Sequence, residues 1–363
     1  MALGRGAVKQ KAGETMRVEA TLGDVPWSEI AERSAAIERL GFDGIGTPEL
    51  KRDPFLPLVL AASATSRVEL TTSVAIAFPR SPTVVAYMAR NLCDLSGGRF
   101  VVGLGTQVKG HIERRFTTEW MSPGPRLREY IQAMRAIWHT WDSGEPLSFR
   151  GKFYNLSLMT PEFSPPPSTF GPIKVQIAAV NEYNIRLAGE LCDGLRVHPF
   201  STPEYTRDVI WPNVKQGAQK VGRTLDDFVL NGTGFIATGA DDATVAKARE
   251  DARYRIAFYA STRTYLPVLE HHGWGDLNPK LRELVAQNRW DDLPRVVPDE
   301  VLDAFCIAGT YANIGRLIES RLGGLVDTLG FPLPDDLDHL SDDYLSALQQ
   351  VRAIAGAARL RMQ

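Results

Sequence analysis

The sequence predicts a single (β/α)8 barrel, the TIM-barrel class, and three observations predict it. Eight short apolar stretches alternate with at least eight stretches of helical periodicity along the 363 residues, the pattern of a parallel sheet closed on itself with helices outside. The best-marked unit, residues 70–107, runs from an apolar strand through a helix to a second apolar strand, a connection that is right-handed when the strands are parallel. The loops leaving those two strands are polar and exit on one side, the side that carries the chemistry in parallel α/β proteins. An open doubly wound sheet is the competing architecture. Its dinucleotide fingerprint needs a third glycine, and Gly103 and Gly105 are followed by Val108 where that glycine belongs.

The elements follow in order. Strand one covers residues 17–22, and helix one covers 27–40, with Ile30, Ala31, Ser34, Ile37 and Leu40 on one face and Gly41 as its stop. Strand two, Gly44–Thr47, exits at Pro48 and Glu49, and a short helix over 55–63 leads to strand three at 69–73. Ser81 is placed as an N-cap with Pro82 at the first helical position, and Ser96, Gly97 and Gly98 end that helix before strand four at 100–104. A helix over 125–141 follows. The stretch 143–172 is an excursion rich in Pro, Gly and aromatics, with a small hairpin at 149–154 around Gly151. Strand five is 174–178, helix five Glu182–Leu191, strand six 195–197, and helix six opens at Thr202-Pro203-Glu204. Strand seven lies within 229–238 and precedes a long helical insertion over 242–303, broken near Gly273 and Pro294. A helix over 313–322, strand eight at 325–329 and a last helix over 342–355 complete the barrel, with insertions after strands four and seven.

The composition allows a large core, with 44% apolar residues, and the formal net charge of −2 gives no general attraction to nucleic acid or to an anionic membrane. Cys93, Cys192 and Cys306 are isolated in contexts read as apolar and helical, with no disulfide or zinc spacing, as expected of a protein in a reducing cytoplasm. Residues 1–15 contain Arg5, Lys9 and Lys11 but no apolar segment, and read as a disordered tail ahead of one barrel domain over 16–363.

Five stretches carry a family likeness: AIERLGFDGIGTPE at strand two, LTTSVAIAFPRSP at strand three, LSGGRFVVGLGTQVKGHIERRF at strand four, LAGELCDGLRVHPFSTPEY at strand six and RIAFYASTRTYLPVLEHHGW in the insertion. Over roughly residues 18–333 the chain resembles the luciferase-like monooxygenase superfamily, within it the group that uses the 5-deazaflavin coenzyme F420. The resemblance implies a flavin-type ring lying over the C-terminal mouth of the barrel, against a bulge in strand three. That bulge contains a non-prolyl cis peptide, here Ser73–Val74, followed by Ala75. It implies a coenzyme phosphate on backbone amides at Ala178, Ala179 and Val180 and at Val197 and His198. Glu49 stands at an acidic position where many relatives carry Asp followed by His, and Leu50 follows it here; His111 replaces an Asn that contacts the ring in some relatives.

The residues themselves agree with hydride chemistry, which needs a held ring and at most one acid, and they offer no nucleophile–base pair. His111 and Glu49 are the candidate catalytic residues. Gln107 and Lys109 are placed to hold the ring's polar edge or the acidic tail, and Arg80, Arg114 and Arg115 suit an anionic phosphate and glutamyl tail. Lys51 or Arg52 is the expected partner of Glu49 if that carboxylate is only a surface group. His271 and His272 lack a partner at metal-ligand spacing, and Tyr254, Phe258, Tyr259 and Tyr265 read as core or pocket wall. The expectation is a cytoplasmic F420-dependent oxidoreductase acting on a small-molecule substrate, as a homodimer, with no metal, nucleic-acid or membrane partner. An FMN-dependent monooxygenase and a non-catalytic flavin-binding barrel are the alternatives.

Overall fold

Eight parallel strands close into a barrel in the computed structural model, which describes residues 15–232 and 234–362. They are β1 (Arg17–Thr21), β2 (Gly44–Thr47), β3 (Glu69–Thr72, resuming at Ala75–Ile76), β4 (Phe100–Gly105), β5 (Lys174–Ala179), β6 (Gly194–Val197), β7 (Val229–Asn231) and β8 (Thr328–Gly330). Each pairs with its sequence neighbour. β8 returns to β1 through Arg17 opposite Thr328, and β3 meets β4 through Leu70 opposite Phe100. The tail read over residues 1–15 lies outside the described residues apart from Thr15, which bridges Ala355.

Local chemistry accounts for the elements. Helix Pro82–Ser96 begins where the Ser81 hydroxyl accepts from Val84 N and ends at Gly97 in the left-handed conformation, φ 67°. Asn181 caps helix Glu182–Leu191 by accepting from Asn184 N, and Thr202 caps the helix after β6 by accepting from Tyr205 N. On the strands, period-two alternation separates two environments. Val18 and Ala20 of β1, Val175 and Ile177 of β5, and Leu195 and Val197 of β6 are buried apolar residues flanking the polar Glu19, Gln176 and Arg196. Those three polar side chains meet inside the barrel. The apolar residues join a core cluster with Ile37, Ile131, Ile185 and Val214 of the outer helices.

The two insertions have their expected places but not all of their expected form. In the first, Phe149–Arg150 pairs antiparallel with Asn155–Leu156, and Glu129 of helix Pro123–Ser143 clips the turn by accepting from Lys152 N and Phe153 N. In the second, the apolar run 229–238 is two strands rather than one. Gly232 (φ 31°) and Gly234 (φ 76°) turn the chain out of the barrel after Asn231. Phe235–Gly239 then pairs in parallel with Cys306–Thr310, a side sheet outside the barrel. Cys306–Thr310 was not anticipated, because it is short and follows directly on helix Asp299–Phe305; Cys306 is accordingly in a strand rather than a helix. No helix among the described residues is long and apolar enough to cross a membrane.

Candidate active site

The inside of the barrel is charged beneath its C-terminal mouth. Arg196 is only 8% exposed, and its guanidinium forms an ion pair with Glu19 of β1, which is 7% exposed. It also donates to Gln176 Oε1 at 3.0 Å and, through Nε, to Ser73 Oγ at 3.2 Å. Asn231 Nδ2 of β7 donates to the same Gln176 oxygen at 3.0 Å. Burying these groups is tolerable only because they satisfy one another. Glycines make the room: a Cβ on Gly46 would fall 2.6 Å from Glu19 Oε1, and one on Gly103 would fall 2.0 Å from Thr72 O and 3.4 Å from Arg196 Cδ.

Above this network β3 breaks. The Ser73–Val74 peptide is cis, Ser73 N donates to Thr47 O at 2.7 Å, and Ala77 N donates to Gly105 O at 3.0 Å. Val74 lies against Gly105, where a Cβ would be 2.8 Å from Val74 Cγ2 and 4.0 Å from the Ala178 Cβ of β5. Val74, Gly105 and Ala178 thus pack together as an apolar patch beside the break in β3. Glu49 braces the resumed strand. Its carboxylate accepts from Ile76 N at 2.7 Å and from Arg80 at 2.8 Å, and Arg80 reaches on to Asp53 at 2.7 Å and Ile76 O at 3.1 Å. The partner expected among the neighbouring cations is therefore Arg80 instead. Lys51 and Arg52 both go to Asp24, and Arg52 also donates to Val25 O at 2.8 Å. Burial alone would lower the Arg80 pKa, but its two carboxylates hold it above its ordinary value.

The loop after β4 carries the remaining basic candidates. Gln107 sits at φ 57°, in the left-handed region, and its Oε1 accepts from Val108 N at 3.0 Å. Lys109 opens the short helix Lys109–Arg114 and pairs with Glu113 at 3.7 Å. His111 is exposed on that helix. Arg114 folds back over Gly110, whose Cβ would lie 2.9 Å from its Nη2, and Arg115 donates to Leu50 O at 3.1 Å. Arg80 is thus committed to Glu49 and Asp53, and Arg115 ties the loop after β4 to the loop after β2; neither projects freely toward an anionic tail.

On the opposite side, β5 and β6 end level, with Ala179 opposite Val197. His198 follows at once. Its Nδ1 accepts from Phe200 N at 3.0 Å and its Nε2 lies 3.1 Å from the Tyr265 hydroxyl, while burial pushes its pKa down to about 4. Tyr259 packs edge-on against the imidazole. Tyr259 and Tyr265 therefore form wall, whereas Tyr254 and Phe258 stand on the exposed face of helix Asp242–Ala260, contrary to expectation. Three residues on, Ser201 is 3% exposed and its hydroxyl has no hydrogen-bond partner among the described residues. His272 meets Thr202 Oγ1 at 2.8 Å and His271 meets Asp208 at 3.4 Å; no group of three or more metal-ligating side chains is assembled among the described residues.

The profile of the luciferase-like monooxygenase family matches residues 3–328. The chain belongs to that family. An uncharacterized protein of Mycobacterium tuberculosis is 43% identical to this luciferase-like protein over 84% of the chain and 90% of its own length. A proposed coenzyme F420-dependent oxidoreductase of the same organism is 28% identical over 81% and 87%. Among solved structures, the coenzyme F420-dependent tetrahydromethanopterin reductase of Methanopyrus kandleri superposes with a TM-score of 0.73 at 20% identity, over 94% of this chain and 97% of that one. A type II Baeyer–Villiger monooxygenase of Pseudomonas putida in complex with FMN gives 0.64 at 17%, over 94% and 98%.

The luciferase-like site fits a planar ring with a phosphate. The patch of Val74, Gly105 and Ala178 is apolar, and the unpartnered Ser201 hydroxyl lies in the loop beyond β6, near Val197 and His198. The cysteines are unsuited to nucleophilic work: all three are buried, and burial pushes Cys192 up to about 12 and Cys306 up to about 11. Sequence reading missed Arg196, Glu19, Gln176, Asn231 and Ser201. The signal for the first two was present, since a lone charge between apolar residues in VEA and LRV points to the inner face of a barrel strand.

Proposed function

We propose that this luciferase-like protein is an F420-dependent oxidoreductase that transfers a hydride between the deazaflavin and a small organic substrate. The observation that carries the reading is the close approach of Val74 to Gly105 and Ala178, an apolar patch at the end of β4 on which one face of a tricyclic ring would rest. Similarity to the proposed F420-dependent oxidoreductase of M. tuberculosis supports the deazaflavin as that ring. When bound, the deazaflavin supplies a hydride-carrying carbon. The chain's own residues prepare its support. Arg196 holds the Ser73 hydroxyl and Glu49 holds Ile76 N on either side of Val74, so both sides of the patch are tied down in advance. Glu49 thus acts as a positioning residue. Exposed His111, beside the mouth, is the candidate for proton exchange with solvent.

An FMN-dependent monooxygenase is the second reading, and one observation favours it. Lys109 pairs with Glu113, and Arg115 is spent on Leu50 O, which removes part of the basic cluster that would meet the acidic tail of the deazaflavin. Titration of the purified chain with oxidised F420 and with FMN separates the readings. The expected result is tighter binding of F420 and turnover without oxygen uptake. Oxygen-dependent turnover with reduced FMN and no affinity for F420 would transfer the protein to the monooxygenases. Ring binding without turnover over a broad substrate panel would favour a non-catalytic binder.

A further inference from the structure

The pairing of His198 with Tyr265 has a determinate proton arrangement. A backbone N–H can only donate, so Phe200 N, 3.0 Å from His198 Nδ1, requires a lone pair there. The neutral imidazole then carries its hydrogen on Nε2, and Nε2–H donates to the Tyr265 hydroxyl oxygen at 3.1 Å. The phenolic hydrogen of Tyr265 is left over, and no protein acceptor for it lies within hydrogen-bond distance among the described residues. The ring contacts of the pair are aromatic, and the charge of the exposed Arg255 reaches Tyr259. Tyr265 packs at 4.6 Å against His198 and at 5.5 Å against both Phe200 and Tyr259. Burial alone depresses the His198 pKa, and burial together with Tyr259 raises that of Tyr265. His198 is the first residue beyond β6, so the pair stands at the mouth, and Tyr265 reaches it from the insertion after β7.

We propose that Tyr265 is a specificity-determining residue whose hydroxyl donates a hydrogen bond to the oxygen of an uncharged ketone-type ligand in the mouth, with His198 fixing the direction of that bond. Among the described residues no cation hydrogen-bonds to either member of the pair, so a single neutral donor is what the pair itself presents, and an ammonium would find a donor where it needs an acceptor. A neutral carbonyl group takes the one free donor and leaves nothing unpaired. The inference rests on the oxidoreductase reading only in treating that ligand as the substrate.

The test places 3-fluorotyrosine at position 265 and follows its fluorine resonance in the full chain, alone and again with oxidised F420 or FMN present. The probes are cyclohex-2-enone, 3-methylcyclohexene as its oxygen-free counterpart, and cyclohexanecarboxylate. A saturable shift with the enone, and none with the other two, is the expected result. The dissociation constant of the enone should rise about 2- to 10-fold in Tyr265→Phe, the effect of losing one neutral hydrogen bond. His198→Gln, which retains an N–H donor, should preserve the enone preference better than His198→Phe. Equal responses to enone and hydrocarbon, no binding of the enone, or an unchanged Tyr265→Phe would overturn the assignment and leave Tyr265 as wall. Coenzyme binding is read in a separate titration. A failure of F420 and FMN to bind would strike the oxidoreductase reading while leaving the enone result to stand or fall alone.

Discussion

Arg196 Nε reaches the Ser73 hydroxyl at 3.2 Å from across the barrel, joining β6 to the break in β3. The same guanidinium is paired with Glu19 on β1 and bonded to Gln176 on β5, so the residue that opens the break beside the apolar patch is anchored to three other strands. A buried charge cluster of this kind is costly to half-remove. Taking away one partner strands the other without water, whereas replacing both by apolar groups does not.

Arg196→Met is therefore expected to destabilise the fold by about 3–5 kcal/mol, and the double variant Glu19→Met/Arg196→Met by clearly less. Urea unfolding midpoints of the two variants decide it. A double variant as damaged as the single one would mean that the network contributes more than mutual neutralisation.

The two glycines of β4 should separate folding from binding. A Cβ on Gly103 would fall 2.0 Å from the Thr72 carbonyl oxygen, which is backbone and cannot yield. Gly103→Ala should lower the melting temperature sharply or abolish soluble expression. A Cβ on Gly105 would meet the Val74 side chain at 2.8 Å, and Val74 can turn. Gly105→Ala should remain folded, with affinity for the ring coenzyme reduced tenfold or more. Unchanged affinity would show that the ring does not lie on this patch.

How much of this was legible in the sequence depends on the range of the interaction involved. The eight strands and the capped helices were readable because period-two and helical patterns and N-cap residues such as Ser81 and Thr202 act within a few positions. The break after Asn231 was hidden, because an apolar run looks the same whether it stays in one sheet or crosses to another. Only the positive φ angles of Gly232 and Gly234 reveal the change. The partner of Glu49 was misread for the same kind of reason. Lys51 and Arg52 are neighbours in sequence, while Arg80 is brought to Glu49 by the pairing of β2 with β3. The Arg196 network links residues up to 177 positions apart, and no local pattern reports such a contact.

Glu49→Gln should weaken the resumed strand at Ile76. The carboxylate accepts from Ile76 N and from Arg80 while only 7% exposed, so a neutral amide loses a charged acceptor that water does not replace. A loss of about 2 kcal/mol is expected, with weaker ring binding. Lys51→Ala should leave both unchanged, because its pair with Asp24 is exposed. If Glu49→Gln abolishes turnover while stability and ring binding stay intact, Glu49 is catalytic rather than positioning.

His198 should make the fold acid-sensitive in a defined window. Unfolded, its imidazole titrates near 6.5; folded, burial holds it down to about 4. Above pH 6.5 both states are neutral and the difference has no effect. As pH falls below 6.5 the unfolded chain takes up a proton that the folded chain refuses, so stability falls, and the loss is complete once the pH passes below about 4. The full effect is on the order of 3 kcal/mol. His272 is depressed in the same direction by burial and by His271, and it titrates in both proteins when wild type is compared with His198→Phe. The difference in unfolding free energy between those two proteins should therefore isolate His198, shifting steadily in favour of the variant between pH 6.5 and 4. A difference that stays flat across that range would mean that the folded protein accepts a proton on His198 as readily as the unfolded chain does, and that the Nδ1 lone pair is not held by Phe200 N.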